Sequence, residues 1–569
     1  MKRSNLFKRL IEKYKEYRKK NFIDNFLERR KKKIQIRTIF KRNDFSITFY
    51  RTFSDSLFSG IWKKYLTKYI YPKILEEEKN TDLNQKILLN DFLNTIKDTK
   101  IAKEYKIQDI LDAPKSKRYK LFSKNIPIFE YNDFKKYIQE AKTKENIIWP
   151  WKITKFSASS GTTDKKKHIP VSNESLESTR KAWINVFAEY FTKYLDTKIF
   201  KWDFFPLAWS IQEYKQDITV ADVSALLVLD RWIFSQKRYA LDLFYLLNPE
   251  REIKRELALK KINPHKIITM IWVTSRAYEI LQYIEKKDKN MFNIMIKNME
   301  LIIGGWVSVS PYMQYFKKLN LRYIWAYNAS EWFFGYQDII NYDNSDWKSP
   351  YKFLVNHWIF YEFIEFNRNN FDENWNCKSF VKAKAIREIT KDDINKKYAL
   401  VISTNSWLLR YLIWDLIQFV DKNKRFIITW RTRQSLNIKW EELMETHTDS
   451  AINELSQKEN INIIYYTIWP DKLKNPTRHE WFIEIENKTN ISSEDIASKI
   501  DHILQKINPD YKAKRKKDIL LQIPKITILK KWSFYDRLKK NDRLWAQIKI
   551  PKLSNDRKYL DEILDIIKR

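Results

Sequence analysis

The sequence predicts an α/β protein with a large N-terminal domain of mixed sheets and helices and a smaller C-terminal α+β domain. Three observations support this prediction. The 569 residues are too many for one hydrophobic core, and their number suggests about two to four domains. Between residues 199 and 310, short apolar runs alternate with helical patterns, which favours α/β layers. Near residues 430–434 the pattern changes to that of a smaller mixed unit.

These patterns divide the chain into three predicted parts. Residues 1–45 form a basic helical segment, because Leu6 and Leu10 begin a helical spacing of apolar residues among many lysines and arginines. A solvated helix packed on the protein is a more common use of such a segment than an arm for RNA or a membrane surface. Residues 46–430 form the large domain, and residues 431–569 form the small one.

The secondary structure of the large domain begins with helices up to about residue 140, the last of them from Tyr131 to Ala141. A short strand at 153–156 then leads into a loop rich in serine and threonine. A long helix at 172–195 follows, with Ser172 or Asn173 as its N-cap. Later strands are expected at 225–229, at 300–305 with a glycine turn at its end, and at 323–327, 353–366, 398–404, 412–419 and 425–429. The small domain should contain a helix at 441–458, strands at 461–468 and 480–486, and a helix at 492–506.

Composition limits the possible partners and the compartment. The chain carries 107 Lys and Arg against 71 Asp and Glu, a net charge of +36. That field suits nucleic acid, anionic lipid or an anionic substrate such as ATP, although AT-rich coding DNA alone would enrich lysine. Cys377 is the only cysteine, so a reducing cytoplasm is expected. No signal peptide and no membrane-spanning run is predicted. The six histidines lack metal-ligand spacing.

The loop over residues 157–170 is the first candidate site. It combines hydroxyl side chains with Gly161, one of only five glycines, and continues into Lys165, Lys166 and Lys167. Successive backbone amides and hydroxyls can form a nest for phosphate oxygens, and lysines add charge that favours a polyphosphate. Alone, such a loop is more often a solvated surface segment. A strand, this loop and a helix in succession would suit phosphate binding.

Motifs farther along the chain, taken together with this loop, give a more specific signal than the loop alone. Residues 159–163 read Ser-Ser-Gly-Thr-Thr, residues 329–335 read Ala-Ser-Glu-Trp-Phe-Phe-Gly, and residues 411–415 read Tyr-Leu-Ile-Trp-Asp. Residues 430–441 and 508–551 add two further matching segments in order. Together they resemble the plant auxin- and jasmonate-conjugating acyl-amido synthetases and their bacterial relatives over roughly residues 90–560. The resemblance implies a large adenylate-forming domain and a small mobile domain that rotates at a hinge near residue 431.

The resemblance also implies the chemistry. A carboxylic acid would be activated with ATP as an acyl-adenylate, which an amine, that of an amino acid, would then attack. Glu331 would hold Mg²⁺, Asp415 would accept hydrogen bonds from the ribose hydroxyls, and Lys549 would approach the α-phosphate. The remaining implied nucleotide-binding residues are Ser159, Ser160, Gly161, Thr162, Thr163, Ala329, Ser330, Tyr411 and Arg431. Leu412 departs from plant members, which carry arginine there, and the loop before Ile169 is about one residue shorter than usual.

At eight positions this chain has tryptophan where the family that it resembles usually has glycine. Only five residues are glycine and 22 are tryptophan, whereas glycine makes up about 7% of ordinary proteins. The hypothesis is an alternative genetic code, in which UGA codons read as glycine appear here as tryptophan. Several of these positions should then require positive φ or leave no room for a Cβ. The eight positions at which tryptophan stands for the family's glycine are Trp306, Trp332, Trp358, Trp407, Trp414, Trp430, Trp440 and Trp532.

Two alternatives remain open at the sequence level. The same adenylation step can be followed by transfer to coenzyme A or to a carrier thiol, since no residue identifies the nucleophile. A non-catalytic, basic nucleic-acid-binding protein would instead show steeply salt-dependent RNA binding. The identities of the acid and of the acceptor, and the oligomeric state, are not encoded in any recognisable pattern.

Overall fold

The computed structural model describes residues 55–159, 167–199, 203–206, 211–215, 218–230, 239–241, 251–305, 312–342, 349–372, 375–378, 381–406, 408–431, 435–436, 443–471, 477–486, 491–516, 520–530, 533–534 and 552–554. The predicted helix over 1–45 lies outside these ranges. By its internal contacts the chain forms two compact units, Met1–Trp62 and Lys63–Arg569. None of the described helices is both long and apolar enough to cross a membrane.

Helices occupy most of the described chain up to residue 141, as predicted. The last of them, Tyr131–Ala141, begins with a capping box in which the Glu130 amide donates to the Asp133 carboxylate at 2.7 Å. A π-helical turn, Leu66–Ile70, joins the first two helices. The seven α-helices of this part are α1 (Asp55–Tyr65), α2 (Tyr71–Lys79), α3 (Thr81–Ile96), α4 (Lys100–Glu104), α5 (Ile107–Asp112), α6 (Lys115–Asn125) and α7 (Tyr131–Ala141).

Strands and helices then alternate through the middle of the chain. The long predicted helix is α8 (Asn173–Lys193), and Ser172 is its N-cap because the Ser172 hydroxyl accepts a hydrogen bond from the Ser175 amide at 2.8 Å. The elements up to the hairpin that follows are β1 (Lys155–Ser159), β2 (Lys167–Pro170), α8, β3 (Asp203–Pro206), β4 (Ile211–Lys215), β5 (Ile218–Ala221), α9 (Val223–Asp230), α10 (Arg251–Lys261), β6 (Ile267–Val273), α11 (Thr274–Lys287), α12 (Lys289–Asn298), β7 (Leu301–Gly305), α13 (Met313–Lys318), β8 (Arg322–Asn328) and β9 (Phe333–Gln337).

The remaining strands complete the large domain, and a smaller α+β unit follows. The elements are β10 (Tyr351–Phe353), β11 (Ile359–Glu365), β12 (Lys384–Ala385), β13 (Lys397–Thr404), β14 (Leu408–Phe419), β15 (Phe426–Arg431), β16 (Ser435–Leu436), β17 (Leu443–Met444), α14 (Glu445–Glu459), β18 (Ile463–Asp471), β19 (Arg478–Ile485), α15 (Ser493–Ile507), α16 (Pro509–Arg515) and β20 (Lys525–Leu529). Two short 3₁₀ turns, Ile386–Glu388 and Lys391–Asp393, connect β12 to β13.

One large mixed sheet organises the large domain. Its eleven described strands run in the order β12-β11-β13-β14-β15-β10-β9-β8-β7-β6-β3. The pairs from β3 to β8 are parallel, and the pairs from β8 to β12 are antiparallel. The direction therefore changes at the β8–β9 hairpin. Ligands of α/β proteins collect where parallel strands end and topology switches, so this hairpin is a natural place for a site.

Separate hydrophobic cores support the two halves of this sheet and the small domain. One core packs α3 to α7 against the antiparallel half, and a second packs α11 and α12 against the parallel half. A third lies between α14, α15 and the sheet β18-β19-β20 of the small domain. The predicted α/β class, with a smaller C-terminal α+β unit, is confirmed. The domain boundaries themselves stay predictions.

A buried ionic network joins the N-terminal helices to the sheet. Lys352 on β10 contacts Glu189 of α8 and lies 2.6 Å from Glu78 of α2. Arg425 contacts Glu78 at 3.1 Å and Asp338 at 2.7 Å. Burial raises the pKa of Glu189 despite the opposing charge of Lys352. Buried charges are tolerated only when paired, so this network aligns α2 and α8 on β10.

Three sequence predictions need correction. The apolar run 225–229 is part of helix α9, not a strand, because a short continuous apolar run carries no periodicity that separates the two. Residues Gly304 and Gly305 do not form a turn after β7 but belong to the strand. A Cβ on Gly305 would lie 2.4 Å from the Ala326 carbonyl oxygen, so glycine there permits close approach to β8. The helix predicted from residue 441 begins at Glu445.

Candidate functional site

The β8–β9 hairpin presents the Ala-Ser-Glu motif at the end of a parallel strand. The Ala329 amide donates to the Trp332 carbonyl at 2.8 Å, which closes the loop tightly. Ala329, Ser330 and Glu331 are half-buried, whereas Trp332 is buried. Behind the loop, a Cβ on Gly335 would lie 2.2 Å from the Lys352 carbonyl oxygen, so this glycine lets β10 pair with β9. The motif is thus held on a rigid scaffold.

A pocket opens beside this loop. It encloses about 370 Å³ of empty space, including its open side. Helices α8 and α9 form one wall, and the hairpin loop with Ser406, in the turn between β13 and β14, forms the other. The predicted residues Ala329, Ser330 and Glu331 all line it. The other lining residues are Val171, Ser175, Leu176, Thr179, Val223, Leu227, Asn328, Trp332, Phe333 and Ser406.

Asp415 lies on the neighbouring part of the sheet and is connected to the same hairpin. The Tyr327 hydroxyl, one residue before Asn328 on β8, donates to Asp415 Oδ2 at 2.9 Å. Both side chains are buried. Asp415 also pairs in register with Arg431, across β14 and β15. Asp415 does not line the pocket, but one hydrogen bond joins it to the strand that carries the pocket loop.

Tyr411 packs in the core. It is 2% exposed, and its ring lies 6.0 Å from that of Phe134 on α7. Its backbone neighbour Leu412 donates to the Phe129 carbonyl at 2.8 Å. The side chain of Tyr411 therefore positions β14 against α7.

Sequence reasoning missed a buried ion pair one residue earlier on β14. Arg410 donates from Nε and Nη2 to the two oxygens of Glu362, both at 2.9 Å, and Nη1 donates to the Ser123 carbonyl at 2.8 Å. Both side chains are 1% exposed. The bidentate geometry explains why arginine stands here. An arginine inside an apolar strand, Leu408–Phe419, is the sequence signal that could have found it.

The Ser/Thr-rich loop after β1 is only partly described. Ser159 is the last residue of β1 and pairs with Lys167 of β2, but Ser160, Gly161, Thr162 and Thr163 lie outside the described residues. The loop joins two antiparallel strands, and α8 begins only after β2. The predicted direct passage from loop to helix is therefore wrong, since Lys167–Pro170 forms a strand that pairs with β1. The loop does not itself form the N-terminus of α8.

Outside the residues that line the pocket, one lysine of α10 has a perturbed pKa. Burial lowers the pKa of Lys254 on α10 to about 7, and nearby Arg276 acts in the same direction. Asp222, which immediately precedes α9, raises it and so opposes the burial. Perturbed groups of this kind gather at functional sites, although structural ion pairs produce them as well.

The small domain touches the large one through a compact polar contact. Asn462, just before β18, donates to the Tyr278 hydroxyl of α11 at 3.1 Å and also to Glu486 Oε2. Gln282 of α11 donates to the Tyr278 hydroxyl at 2.7 Å and to Glu486 Oε2 at 3.3 Å. Glu486 follows β19, so one end of the small sheet rests on α11. The side chain of Arg431 and all of Lys549 lie outside the described residues.

The donor set at the hairpin suits a metal that arrives with a nucleotide better than a resident one. Among the described residues, no group of three or more His, Cys, Asp or Glu side chains is arranged to hold a metal ion. Mg²⁺ commonly binds one or two carboxylates together with substrate phosphates and water. Glu331, a single carboxylate that lines the pocket, fits that pattern.

Comparison with known proteins identifies the family. The GH3 family N-terminal domain profile matches residues 71–241, the GH3 central domain profile matches 352–427, and the GH3 C-terminal domain profile matches 446–558. No curated protein sequence matches the chain.

Solved structures share the fold. A GH3.15 acyl acid amido synthetase is 15% identical with a TM-score of 0.70, and the match covers 87% of this chain and 95% of that one. AtGH3.15 acyl acid amido synthetase in complex with 2,4-DB gives a TM-score of 0.69 at the same identity and coverage, 15%, 87% and 95%. A 2-hydroxyisobutyryl-CoA ligase in the postadenylation state, in complex with 2-HIB-AMP, is 9% identical with a TM-score of 0.56, covering 87% of this chain and 93% of that one. With three matching domains in order and this fold, the chain belongs to the GH3 family and has the fold of adenylate-forming enzymes.

Proposed function

We propose that this protein is an acid–amino acid ligase that activates a small carboxylic acid with ATP and joins it to the amine of an amino acid. The observation that carries the proposal is the hairpin at the end of β8. Its Ala329, Ser330 and Glu331 line a small pocket, while the preceding Tyr327 holds Asp415 by a 2.9 Å hydrogen bond. The two motifs are thus linked by a hydrogen bond between residues 88 positions apart in the chain.

The first half-reaction makes the acid an electrophile. A carboxylate oxygen attacks the α-phosphorus of ATP, pyrophosphate leaves, and an acyl-adenylate forms. Two anions must be held together, so the enzyme has to supply orientation and positive charge. In this proposal the phosphates lie in the loop Ser159, Ser160, Gly161, Thr162 and Thr163, and Lys549 neutralises charge at the α-phosphate. Mg²⁺, when bound, would offset phosphate charge, with Glu331 as its protein ligand.

The second half-reaction forms the amide. The amine attacks the acyl carbon, and AMP leaves with the former carboxylate oxygen. Asp415 would accept hydrogen bonds from the ribose hydroxyls, Ala329 and Ser330 would flank the activated group, and Tyr411 would support β14 from the core. Arg431, the last residue of β15, would lie at the hinge about which residues 431–569 rotate between the half-reactions.

Acid-dependent exchange between ATP and pyrophosphate tests the proposal. The expected result is exchange with at least one acid of a panel and a fall of about 100-fold or more in Glu331→Gln, because metal and phosphate charge lose a ligand. ATP binding should be measured in parallel. No exchange with any acid in a folded, ATP-binding sample contradicts the proposal. Salt-dependent RNA binding in that sample would favour the non-catalytic alternative.

Transfer to a thiol is the second candidate function. The likeness in fold to a CoA ligase, at a TM-score of 0.56, supports thiol transfer as a second candidate. The acceptor is tested by supplying amino acids, coenzyme A and a carrier-protein thiol to the adenylating enzyme and separating the products. An amide with an amino acid supports our proposal, whereas a thioester as the sole product supports the alternative.

We also propose that some of the tryptophans are glycine in the native protein. Trp358 supports this with φ of +58°, a backbone conformation that favours glycine, and Trp375, which was not singled out from the sequence, has φ of +61°. Among the described residues, positive φ is not found at Trp332, Trp414 or Trp430. Peptide mass spectrometry of the native protein should find glycine at 332 and 414. Intact tryptophan at both sites would refute the idea. The exchange assay should also be run on protein made from a gene recoded with glycine at these positions.

We also propose a cytoplasmic location, as the single cysteine suggests.

A further inference from the structure

The walls of the pocket beside Glu331 restrict the acid that could enter it. Most of the lining is apolar. Apolar walls favour an apolar acyl group over a polar one. The apolar lining residues are Val171, Leu176, Val223, Leu227 and Phe333, and residue 332, a tryptophan here that we propose is glycine in the native protein, also lines the pocket.

The charged and hydroxyl groups of the lining restrict the acid further. No Lys, Arg or His side chain is among the lining residues that the structure describes, and Glu331 is the charged one. A second carboxylate on the substrate would find no counter-charge there. The hydroxyl protons of Ser175 and Thr179 are already donated to backbone carbonyls within the α8 region, at 2.8 and 3.0 Å. These two groups can accept a hydrogen bond but have no proton to offer.

One lining group is left with unused hydrogen-bonding capacity. Asn328 ends β8, and its Oδ1 is buried with no hydrogen-bond partner among the described residues. Nearly all buried polar atoms in native proteins are paired, and an exception calls for an explanation such as a ligand. Rotation of the carboxamide by 180° exchanges its oxygen and nitrogen, so the group can present an acceptor or a donor. A hydroxyl group can pair with either.

We infer that the acid accepted here has an apolar body bearing a hydroxyl or similar hydrogen-bonding substituent, and that Asn328 is the specificity-determining residue that selects it. This inference rests on the proposed function, because it treats the pocket as the acyl site. A site built to hydrogen-bond a substrate group rejects the analogue that lacks it, since its own polar group is then left unpaired.

Matched pairs of acids test the inference on the full-length protein. Benzoic acid is compared with 3-hydroxybenzoic acid, and 2-methylpropanoic with 2-hydroxy-2-methylpropanoic acid, by kcat/KM in ATP–pyrophosphate exchange. We expect one hydroxylated acid to exceed its parent by at least about 10-fold. In Asn328→Leu this ratio should fall to within about 2-fold of unity. Asn328→Asp, which keeps an acceptor, should retain part of the preference.

Asn185→Leu is the matched control, since Asn185 is a buried asparagine of α8 that does not line the pocket. Its hydroxylated-to-parent ratio should equal that of the unchanged protein. An absent preference, or an equal ratio in Asn328→Leu, overturns the inference while exchange itself still supports the proposed function. Calorimetric binding of the same acids in the presence of ATP keeps the two claims separable. A binding preference that Asn328→Leu abolishes, without exchange, supports the pocket assignment and contradicts the ligase.

Discussion

At the scale of single residues, the hydrogen bond between Tyr327 and Asp415 connects two predicted motifs. The phenol donates to Asp415 Oδ2 at 2.9 Å, and both groups are buried. A buried carboxylate oxygen needs a hydrogen-bond donor. The tyrosine therefore orients Asp415, an acceptor of the kind that ribose recognition would require.

Substitutions at Asp415 and Tyr327 distinguish binding of the nucleotide from support of the residue that binds it. In Asp415→Asn, the KM for ATP should rise by about 10-fold or more, because one oxygen acceptor becomes a donor. Tyr327→Phe should cost about 1 kcal/mol of stability and change the KM less. The measurements are steady-state exchange kinetics and urea unfolding. An unchanged KM for ATP in Asp415→Asn would remove this residue from the nucleotide site.

The buried pair of Arg410 and Glu362 yields a second prediction at this scale. Arg410→Met leaves Glu362 buried without its partner and should lower the free energy of unfolding by about 3–5 kcal/mol. Replacing both residues with apolar ones should recover most of that loss, because the uncompensated charge disappears. Urea titration measures both.

A surface pair provides the control. Arg180→Ala breaks the contact with Glu177, whose side chain is 50% exposed, and should change stability by less than about 0.5 kcal/mol. Equal losses for Arg410→Met and Arg180→Ala would show that the buried pair does not stabilise the fold as inferred.

At the scale of elements, periodicity and capping signals were sufficient to predict an element whose own sequence determines where it begins and ends. Helix α7 and the Ser172 cap of α8 follow from local sequence. Helix α9 did not, since the five consecutive apolar residues at 225–229 suit a strand equally well until their tertiary neighbours are known. The pocket was not predicted from the sequence either. Its walls come from α8, α9 and two turns, and only the packed fold brings them together.

The turn between β12 and β13 gives a pH-dependent prediction. Burial alone would raise the pKa of Asp393, but hydrogen bonds from Lys384 at 2.6 Å, Tyr398 at 2.5 Å and the Thr390 amide at 2.8 Å lower it to about 2. The unfolded carboxyl titrates near 4, about two units higher. Its contribution is therefore present above about pH 4 and is lost as the pH falls through 2.

Asp393→Asn should consequently lower stability by about 2 kcal/mol at pH 7, with the difference shrinking as the pH falls toward 2. Unfolding titrations at several pH values measure this. Asp392→Asn, in the same turn but exposed, should stay within about 0.5 kcal/mol throughout. A loss for Asp393→Asn that does not depend on pH would contradict the explanation.

At the scale of the whole molecule, the small domain rests on α11 through a few hydrogen bonds. Asn462, Glu486, Tyr278 and Gln282 form one half-buried cluster at this contact. A polar contact of this kind is easier to break than an apolar interface. Such a contact is compatible with the proposed rotation of residues 431–569 between the two half-reactions.

Asn462→Ala should weaken the contact. Hydrogen exchange should increase along residues 274–287 and near Glu486, because both lose a packed neighbour. Lys499→Ala, which breaks a salt bridge inside the small domain, serves as the control and should leave α11 protected. Unchanged exchange on α11 in Asn462→Ala would show that this cluster does not hold the domains together.

The central claim, that a carboxylate is activated by transfer of AMP, is tested most directly by following oxygen. The enzyme is supplied with ATP, an amine and an acid whose carboxylate carries ¹⁸O, and the nucleotide product is analysed by mass spectrometry. Attack on the α-phosphorus predicts one ¹⁸O in AMP for each amide formed. Label in inorganic phosphate, with ADP as the nucleotide product, would contradict the account.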